Sequence, residues 1–345
     1  MVSWIQLSDH LHSYFISKMI SPPFYIETPL IRVCNPQIAC KMHAFVKMEC
    51  LQPSGSFKDR GISHMINNIQ KTKGISKLIS SSGGNAGHAV ATAGKNLGLP
   101  VDVYVPVTTK PMMIAKLKQR GANVYVHGAN WNEADKLAKE ALANNPQAAY
   151  IPPYDDPLIW EGNSTIVDEL VKAGIIPDKI VLSVGGGGLL CGIQQGILRH
   201  GWQNRTKIVA VETTGTASFA AASAAGHPVA LTGIDSVATS LGALSVTPGC
   251  LDTGVETVSH VVTDQDAVAA CRRFADDFNI LVEPACGAAL SYMYSTPEAA
   301  SFPISTSAVS AGKETVVVIA CGGSVVNLEL LSQWCAQFNL TSEYE

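Results

Sequence analysis

The sequence predicts an α/β protein built on parallel sheet with helices on both faces, and three observations carry that reading. Short β-branched runs alternate with helix-length segments from about Lys77 onward. No internal repeat or low-complexity tract interrupts the alternation. Two Gly-rich segments directly follow predicted strands, which is where open parallel sheets bind ligands. Taken in order, strands are expected at 77–80, 101–105, 123–126, 180–184, 208–212 and 315–320. Ala44-Phe45-Val46-Lys47-Met48 is a further strand-like run. Helices are expected at 88–97, 111–120, 131–143, 189–199 and 264–279. A sheet wound on both faces is the natural packing of this order.

The bulk properties bound what the chain can be. Its 345 residues suffice for two ordinary lobes or one large one, and 47% hydrophobic residues are ample for a buried core. Apolar runs such as 316–321 are too short to span a bilayer, so no membrane partner is expected. The first thirty residues lack a basic start followed by an apolar stretch, and the expected location is the cytoplasm. Lys and Arg number 24 against 28 Asp and Glu, a net charge of -4 with no basic block. Nucleic acid is therefore not an expected partner. Nine cysteines with no Cys-x-x-Cys pair fit reduced thiols rather than a disulfide framework. Cys34, Cys40, His43 and Cys50 match no standard zinc spacing, and core or surface thiols explain them.

Three segments carry candidate chemistry. Gly185, Gly186, Gly187 and Gly188 follow the strand at 180–184 and open a helix. Backbone N–H groups uncovered by side chains, beside the positive end of a helix dipole, make an anion cradle. The other reading is a plain flexible turn. Ser81-Ser82-Gly83-Gly84-Asn85-Ala86-Gly87 follows the strand at 77–80 and presents an amide able to donate and accept, suited to a carboxylate or a ring hydroxyl. Asn85 or Ser82 could equally be a helix N-cap. Lys58 lies in Pro53-Ser54-Gly55-Ser56-Phe57-Lys58-Asp59-Arg60-Gly61. A Schiff-base amine needs a partly desolvated site, which Phe57 and tight turn residues could supply; taken alone, Lys58 reads as a surface lysine beside Asp59. A nicotinamide site competes, because Glu212 ends the strand that follows. Leu190, where a third small residue is required, weakens that reading. Lysine, phosphate cradle and carboxylate loop together are what an aldehyde cofactor acting on amino acids requires.

At Ser56-Phe57-Lys58-Asp59-Arg60-Gly61 the chain resembles the tryptophan-synthase-β-like, fold type II, pyridoxal-phosphate enzymes. The Asn85 loop, the Gly185 loop and Cys321-Gly322-Gly323 follow in that family's order, and the likeness covers nearly the whole chain. Pro153-Tyr154-Asp155-Asp156-Pro157-Leu158-Ile159-Trp160-Glu161-Gly162 and Leu281-Val282-Glu283-Pro284-Ala285-Cys286-Gly287-Ala288 look like the animal-type L-serine dehydratases. The resemblance implies two doubly wound parallel-sheet lobes with the cofactor in the cleft between them. Residues 52–155 would form a small mobile lobe, residues 1–51 and 156–345 the large one, and the assembly would be a homodimer.

The implied reaction is loss of water and ammonia from L-serine to give pyruvate, and from L-threonine to give 2-oxobutanoate. A β-replacement or synthase enzyme of the same fold is the near alternative; an NAD-binding dehydrogenase or a non-catalytic binding protein is the distant one. By the resemblance, Lys58 forms the Schiff base with the cofactor aldehyde and later takes the Cα proton. Phe57 packs on the cofactor ring, and Asn85 meets its hydroxyl. Gly185, Gly186, Gly187, Gly188 and Leu189 hold the phosphate, and Cys321 lies at the pyridine nitrogen. Ser82, Gly83, Asn85 and Ala86 bind the substrate carboxylate. Gly83 stands where the related serine racemase has its second base, so racemisation is expected to be weak. Glu212 and the carbonyl of Thr216 would hold a monovalent cation such as K+, unless Glu212 is bonded only to protein.

Overall fold

The computed structural model describes residues 24–295 and 312–340 of the chain. Its strands are β1 (Leu30–Arg32), β2 (His43–Lys47), β3 (Lys77–Ser80), β4 (Val101–Val105), β5 (Asn123–Val126), β6 (Ala148–Tyr150), β7 (Lys179–Ser183), β8 (Lys207–Thr213), β9 (Thr257–Val262) and β10 (Thr315–Ile319). They form two sheets, ordered β1-β2-β10-β7-β8-β9 and β5-β4-β3-β6. Every pairing is parallel except β1 with β2. The α/β expectation is met, and each sheet has its own hydrophobic core. Strand β4 is buried at all five positions, as a strand covered on both faces must be.

Local chemistry sets the helix ends. Asp156 caps Pro157–Lys172 by accepting from the Leu158 N–H, with proline at the first helical position. Thr263 and Asp266 form a capping box at Asp264–Phe278, which Asn279 closes in the left-handed conformation. The helix expected at 88–97 begins at Asn85, because Gly84 takes the capping position. Helix Lys58–Lys73 was not anticipated, since Gly61 and its mixed polar sequence blur the periodicity. Helix Pro284–Tyr294 was missed for the opposite reason: it is buried on nearly all sides and has no polar face to mark a period.

Two helix crossings lock the layers together. A Cβ on Gly162 would lie 2.5 Å from the Arg60 carbonyl and 2.7 Å from Gly61 Cα. A Cβ on Gly61 would lie 2.5 Å from the Ile159 carbonyl. The helix bearing Lys58 therefore rests backbone to backbone on Pro157–Lys172. That helix packs in turn on Gly188–Arg199, where Gly192 and Gly196 meet Asn163 and Val167.

Beside this crossing lies a buried ion cluster. Arg60 Nε and Nη2 donate to the two Glu49 oxygens at 2.7 and 2.8 Å, and Nη1 and Nη2 donate to Glu169 at 2.5 and 2.8 Å. Lys47 Nζ completes it by donating to Glu169 and, at 2.6 Å, to the Thr28 carbonyl. Burial alone would raise the Glu49 pKa, but the Arg60 guanidinium outweighs it and holds that carboxyl below its ordinary value. Replacing Gly162 by alanine forces the two helices apart and is expected to lower stability by about 1–3 kcal/mol. A drop in the urea midpoint would register it, and an unchanged midpoint would refute the close crossing.

Candidate active site

The candidate residues converge because each follows the carboxyl end of a parallel strand. The Ser82 loop follows β3, the Pro153-Tyr154 segment follows β6, the glycine run follows β7 and Cys321 follows β10. Lys58 opens its helix next to these ends. Its loop is knitted to the β10 exit: Phe57 N–H donates to the Cys321 carbonyl at 3.0 Å, and Gly323 N–H to the Gly55 carbonyl at 3.0 Å. Residues some 260 positions apart in sequence thus share one hydrogen-bonded turn.

Lys58 is not the plain surface lysine of the alternative reading. Its Nζ donates to the Pro153 carbonyl at 2.6 Å and lies 5.1 Å from the Phe57 ring centroid and 5.9 Å from that of Tyr154. Burial among these groups disfavours the ammonium form and lowers its pKa to about 8, against the opposing pull of Cys321 and Glu283. The result is an amine whose unprotonated fraction at neutral pH, about a tenth, far exceeds that of an ordinary lysine, which suits a nucleophile or base.

The glycine run is not a flexible turn. A Cβ on Gly186 would lie 2.4 Å from the Tyr154 ring, and one on Gly188 2.6 Å from the Tyr154 carbonyl. Gly187, at φ +92°, opens the helix, and a Cβ there would lie 2.9 Å from Thr247. Among the described residues, the N–H groups of Gly185, Gly186, Gly187 and Gly188 meet no acceptor. Leu189 is buried directly beneath, in the first turn. Unpaired donors at a helix N-terminus fit a phosphate, and the walls leave no room for side chains.

The Asn85 loop is equally constrained. Asn85 is not the helix N-cap: Gly84 is, and Asn85 Nδ2 instead donates to Glu283 Oε1 at 2.6 Å, with Ser240 Oγ at 3.4 Å. The Ser324 hydroxyl donates to Asn85 Oδ1. Ser82 does not cap the helix either; its Oγ accepts from Gly84 N–H at 3.3 Å, tightening the turn. Gly87 is required because a Cβ there would sit 1.8 Å from the Ser82 carbonyl. Ala86 is buried beside Asn85. A Cβ on Gly83 would come within 2.9 Å of Thr109 Cγ2, so Thr109 fills the space a side chain at position 83 would need.

Glu212 stands one step outside this cluster. Its oxygens accept from the Phe219 and Ala220 N–H groups at 2.7 and 2.8 Å, so it closes the start of helix Ser218–Ala225. Burial pushes its carboxyl up to about 7 despite those donors. The Thr216 hydroxyl is engaged with Thr213 in a capping box. Both Glu212 oxygens are thus engaged by protein N–H groups. No group of three or more His, Cys, Asp or Glu able to hold a metal occurs among the described residues. Nor is any helix among them long and apolar enough to cross a membrane.

Sequence reasoning passed over Tyr154, Ser240, Glu283 and Ser324 as site residues. Tyr154 and Glu283 lay inside quoted motifs with no role attached. Ser240 sits in a loop of unremarkable composition, and nothing in its surroundings signals a site.

The family model for pyridoxal-phosphate dependent enzymes matches residues 22–322. L-serine dehydratase/L-threonine deaminase of Homo sapiens is 43% identical over 331 residues, covering 94% of this chain and 98% of that protein. A serine dehydratase-like protein of Mus musculus is 42% identical over 315 residues, covering 90% and 94%. Among solved structures, a fungal L-serine ammonia-lyase from Rhizomucor miehei superposes with a TM-score of 0.83 at 32% identity, covering 91% of this chain and 99% of that one.

The electrostatics of Lys58 can be read directly. In competitive acylation of the cofactor-free protein, Lys58 is expected to gain reactivity around a midpoint near pH 8, while exposed lysines do so above pH ~10. A Lys58 that titrates with the exposed lysines would contradict the desolvated site.

Proposed function

The chain belongs to the pyridoxal-phosphate dependent enzyme family, and from that premise we propose that it deaminates L-serine to pyruvate and ammonia. L-threonine, giving 2-oxobutanoate, is the second substrate. Relatives named L-serine dehydratase/L-threonine deaminase match over nearly their whole length. The observation that carries the reading is the Lys58 amine, its basicity lowered, held between two aromatic rings beside a glycine turn with unpaired N–H groups.

When bound, pyridoxal phosphate supplies an aldehyde for an amine and a ring that accepts electrons from the Cα of an amino acid. The residues divide the remaining work. Gly185, Gly186, Gly187 and Gly188 would donate N–H groups to the phosphate over buried Leu189, and the helix dipole would add its field. Phe57 would flank the ring, and Asn85 would donate toward its hydroxyl. Cys321 would stand at the ring nitrogen, a sulfur group in place of a carboxylate, and so would do little to hold a proton there. Ser82, Gly83, Asn85 and Ala86 form the start of a helix and receive the substrate carboxylate. Lys58 would hold the cofactor through its Nζ, and the same Nζ, once free, would take the Cα proton. The Cα proton taken by Lys58 balances the one the β-hydroxyl needs to leave as water, and the enamine product then tautomerises and is hydrolysed to pyruvate and ammonia. With no side chain at Gly83, that loop offers no second base on the opposite face.

Residues 52–155 form the smaller, mobile lobe in this reading, and 1–51 with 156–345 the larger. The sheet containing β3 to β6 lies wholly within the smaller span.

The test is pyruvate release from L-serine with no added acceptor, with Lys58→Ala in parallel. Wild type is expected to release pyruvate, and the variant to fall by at least about a thousandfold. A wild-type protein that binds the cofactor and changes colour with L-serine, yet releases no pyruvate, would overturn the dehydratase in favour of replacement chemistry.

A further inference from the structure

We propose that Glu283, Ser324 and His88 form a buried relay that fixes which end of the Asn85 amide is presented to the cofactor, making His88 a positioning residue. The proposal rests on the assignment of Asn85 to the cofactor ring. Glu283 Oε1 accepts from Asn85 Nδ2 at 2.6 Å, Asn85 Oδ1 accepts from the Ser324 hydroxyl, and Ser324 Oγ lies 3.1 Å from His88 Nδ1. All four side chains are buried, His88 completely.

Burial raises the Glu283 pKa, and the Asn85, Ser240 and Val325 donors oppose it; with Glu283 ionised, the order of donors along this chain has one solution. With Glu283 as acceptor, the NH2 of Asn85 faces it, and the amide carbonyl faces Ser324. The single proton of the Ser324 hydroxyl is then committed to that carbonyl. Ser324 Oγ can only accept from its remaining neighbour, so His88 carries its proton on Nδ1 and leaves Nε2 bare. His88 Nε2 is indeed buried without a hydrogen-bond partner. Burial, with Arg120 and Lys116 nearby, pushes the imidazole pKa down to about 4 against the opposing pull of the Met113 carbonyl, so it stays neutral as the relay requires. The backbone beneath Ser324 is also pinned, since Lys116 Nζ donates to its carbonyl at 2.6 Å.

What the relay secures is a donor. An amide NH2 has two protons: one goes to Glu283 at 2.6 Å, and the second, in a long 3.4 Å bond to Ser240 Oγ, is the one a ring hydroxyl would take over. Without Ser324 and His88, nothing holds the carbonyl end. The amide could then turn and set its oxygen against the ring oxygen.

The experiment uses the holoenzyme and two readouts other than turnover: the visible absorption spectrum of bound pyridoxal phosphate, and the Kd for that cofactor by titration. Asn85→Ala must change the spectrum; if it does not, the assignment of Asn85 to the ring fails, and the relay with it. Given that change, Ser324→Ala and His88→Met are expected to shift the band in the same direction and weaken cofactor binding about tenfold, the loss of one buried hydrogen bond. His88→Asn, whose amide nitrogen takes the place of Nδ1, is expected to keep the wild-type spectrum. Wild-type spectra in Ser324→Ala and His88→Met, with Asn85→Ala altered, would overturn the relay alone. A shift in His88→Asn equal to that in His88→Met would overturn the donor role. Should His88→Met fail to fold, Ser324→Ala, a deletion of one oxygen, decides the matter.

Discussion

The buried Arg60 guanidinium is the constraint on which the rest of the site depends. It binds two carboxylates from different parts of the chain, Glu49 after β2 and Glu169 on helix Pro157–Lys172. Lys47 shares Glu169 with it. Two cations and two carboxylates balance, so the cluster can be buried without a net charge. Removing one member leaves another unpaired away from water, which costs about 3–5 kcal/mol. Arg60 lies two residues after Lys58 in the same first turn. The cluster thus fixes the start of the helix that carries the reactive amine, and the Gly61–Gly162 crossing fixes its depth. The helix that carries Lys58 is thereby anchored at its first turn to Glu49 and to helix Pro157–Lys172.

From that fixed point the chemistry follows by desolvation. Lys58 faces Pro153, Phe57 and Tyr154, not a carboxylate in direct contact, so burial prevails and its pKa falls. Arg60 behaves in the opposite way: paired with Glu49 and Glu169, its pKa rises despite burial. Two cations two residues apart are thereby driven in opposite directions, one toward reactivity and one toward permanent charge. Tyr154 links Lys58 to the anion cradle, because the same ring that flanks the amine walls Gly186.

Much of this was legible in the sequence, for physical reasons. Strands β3, β4 and β5 were placed at their observed bounds, because β-branched runs in a doubly covered sheet leave little room for another reading. The glycine run and the Asn85 loop announced themselves because glycine is forced where a neighbour occupies the place of Cβ. The ion cluster was not legible: Lys47, Glu49 and Glu169 are ordinary charged residues until the fold buries them together. Glu283 and His88 were hidden in the same way, each on a segment whose composition speaks only of packing. Strand β1 and strand β6 were missed because three residues are too few to show a period.

The central claim is that the fold selects Lys58, among all its lysines, as the amine that holds the cofactor. Borohydride reduction of the holoenzyme, followed by peptide mapping, tests it most directly. The account predicts the reduced pyridoxyl group on Lys58 alone. Its appearance on Lys116, the other partly buried lysine of lowered pKa near Asn85 and Ser324, would contradict the account.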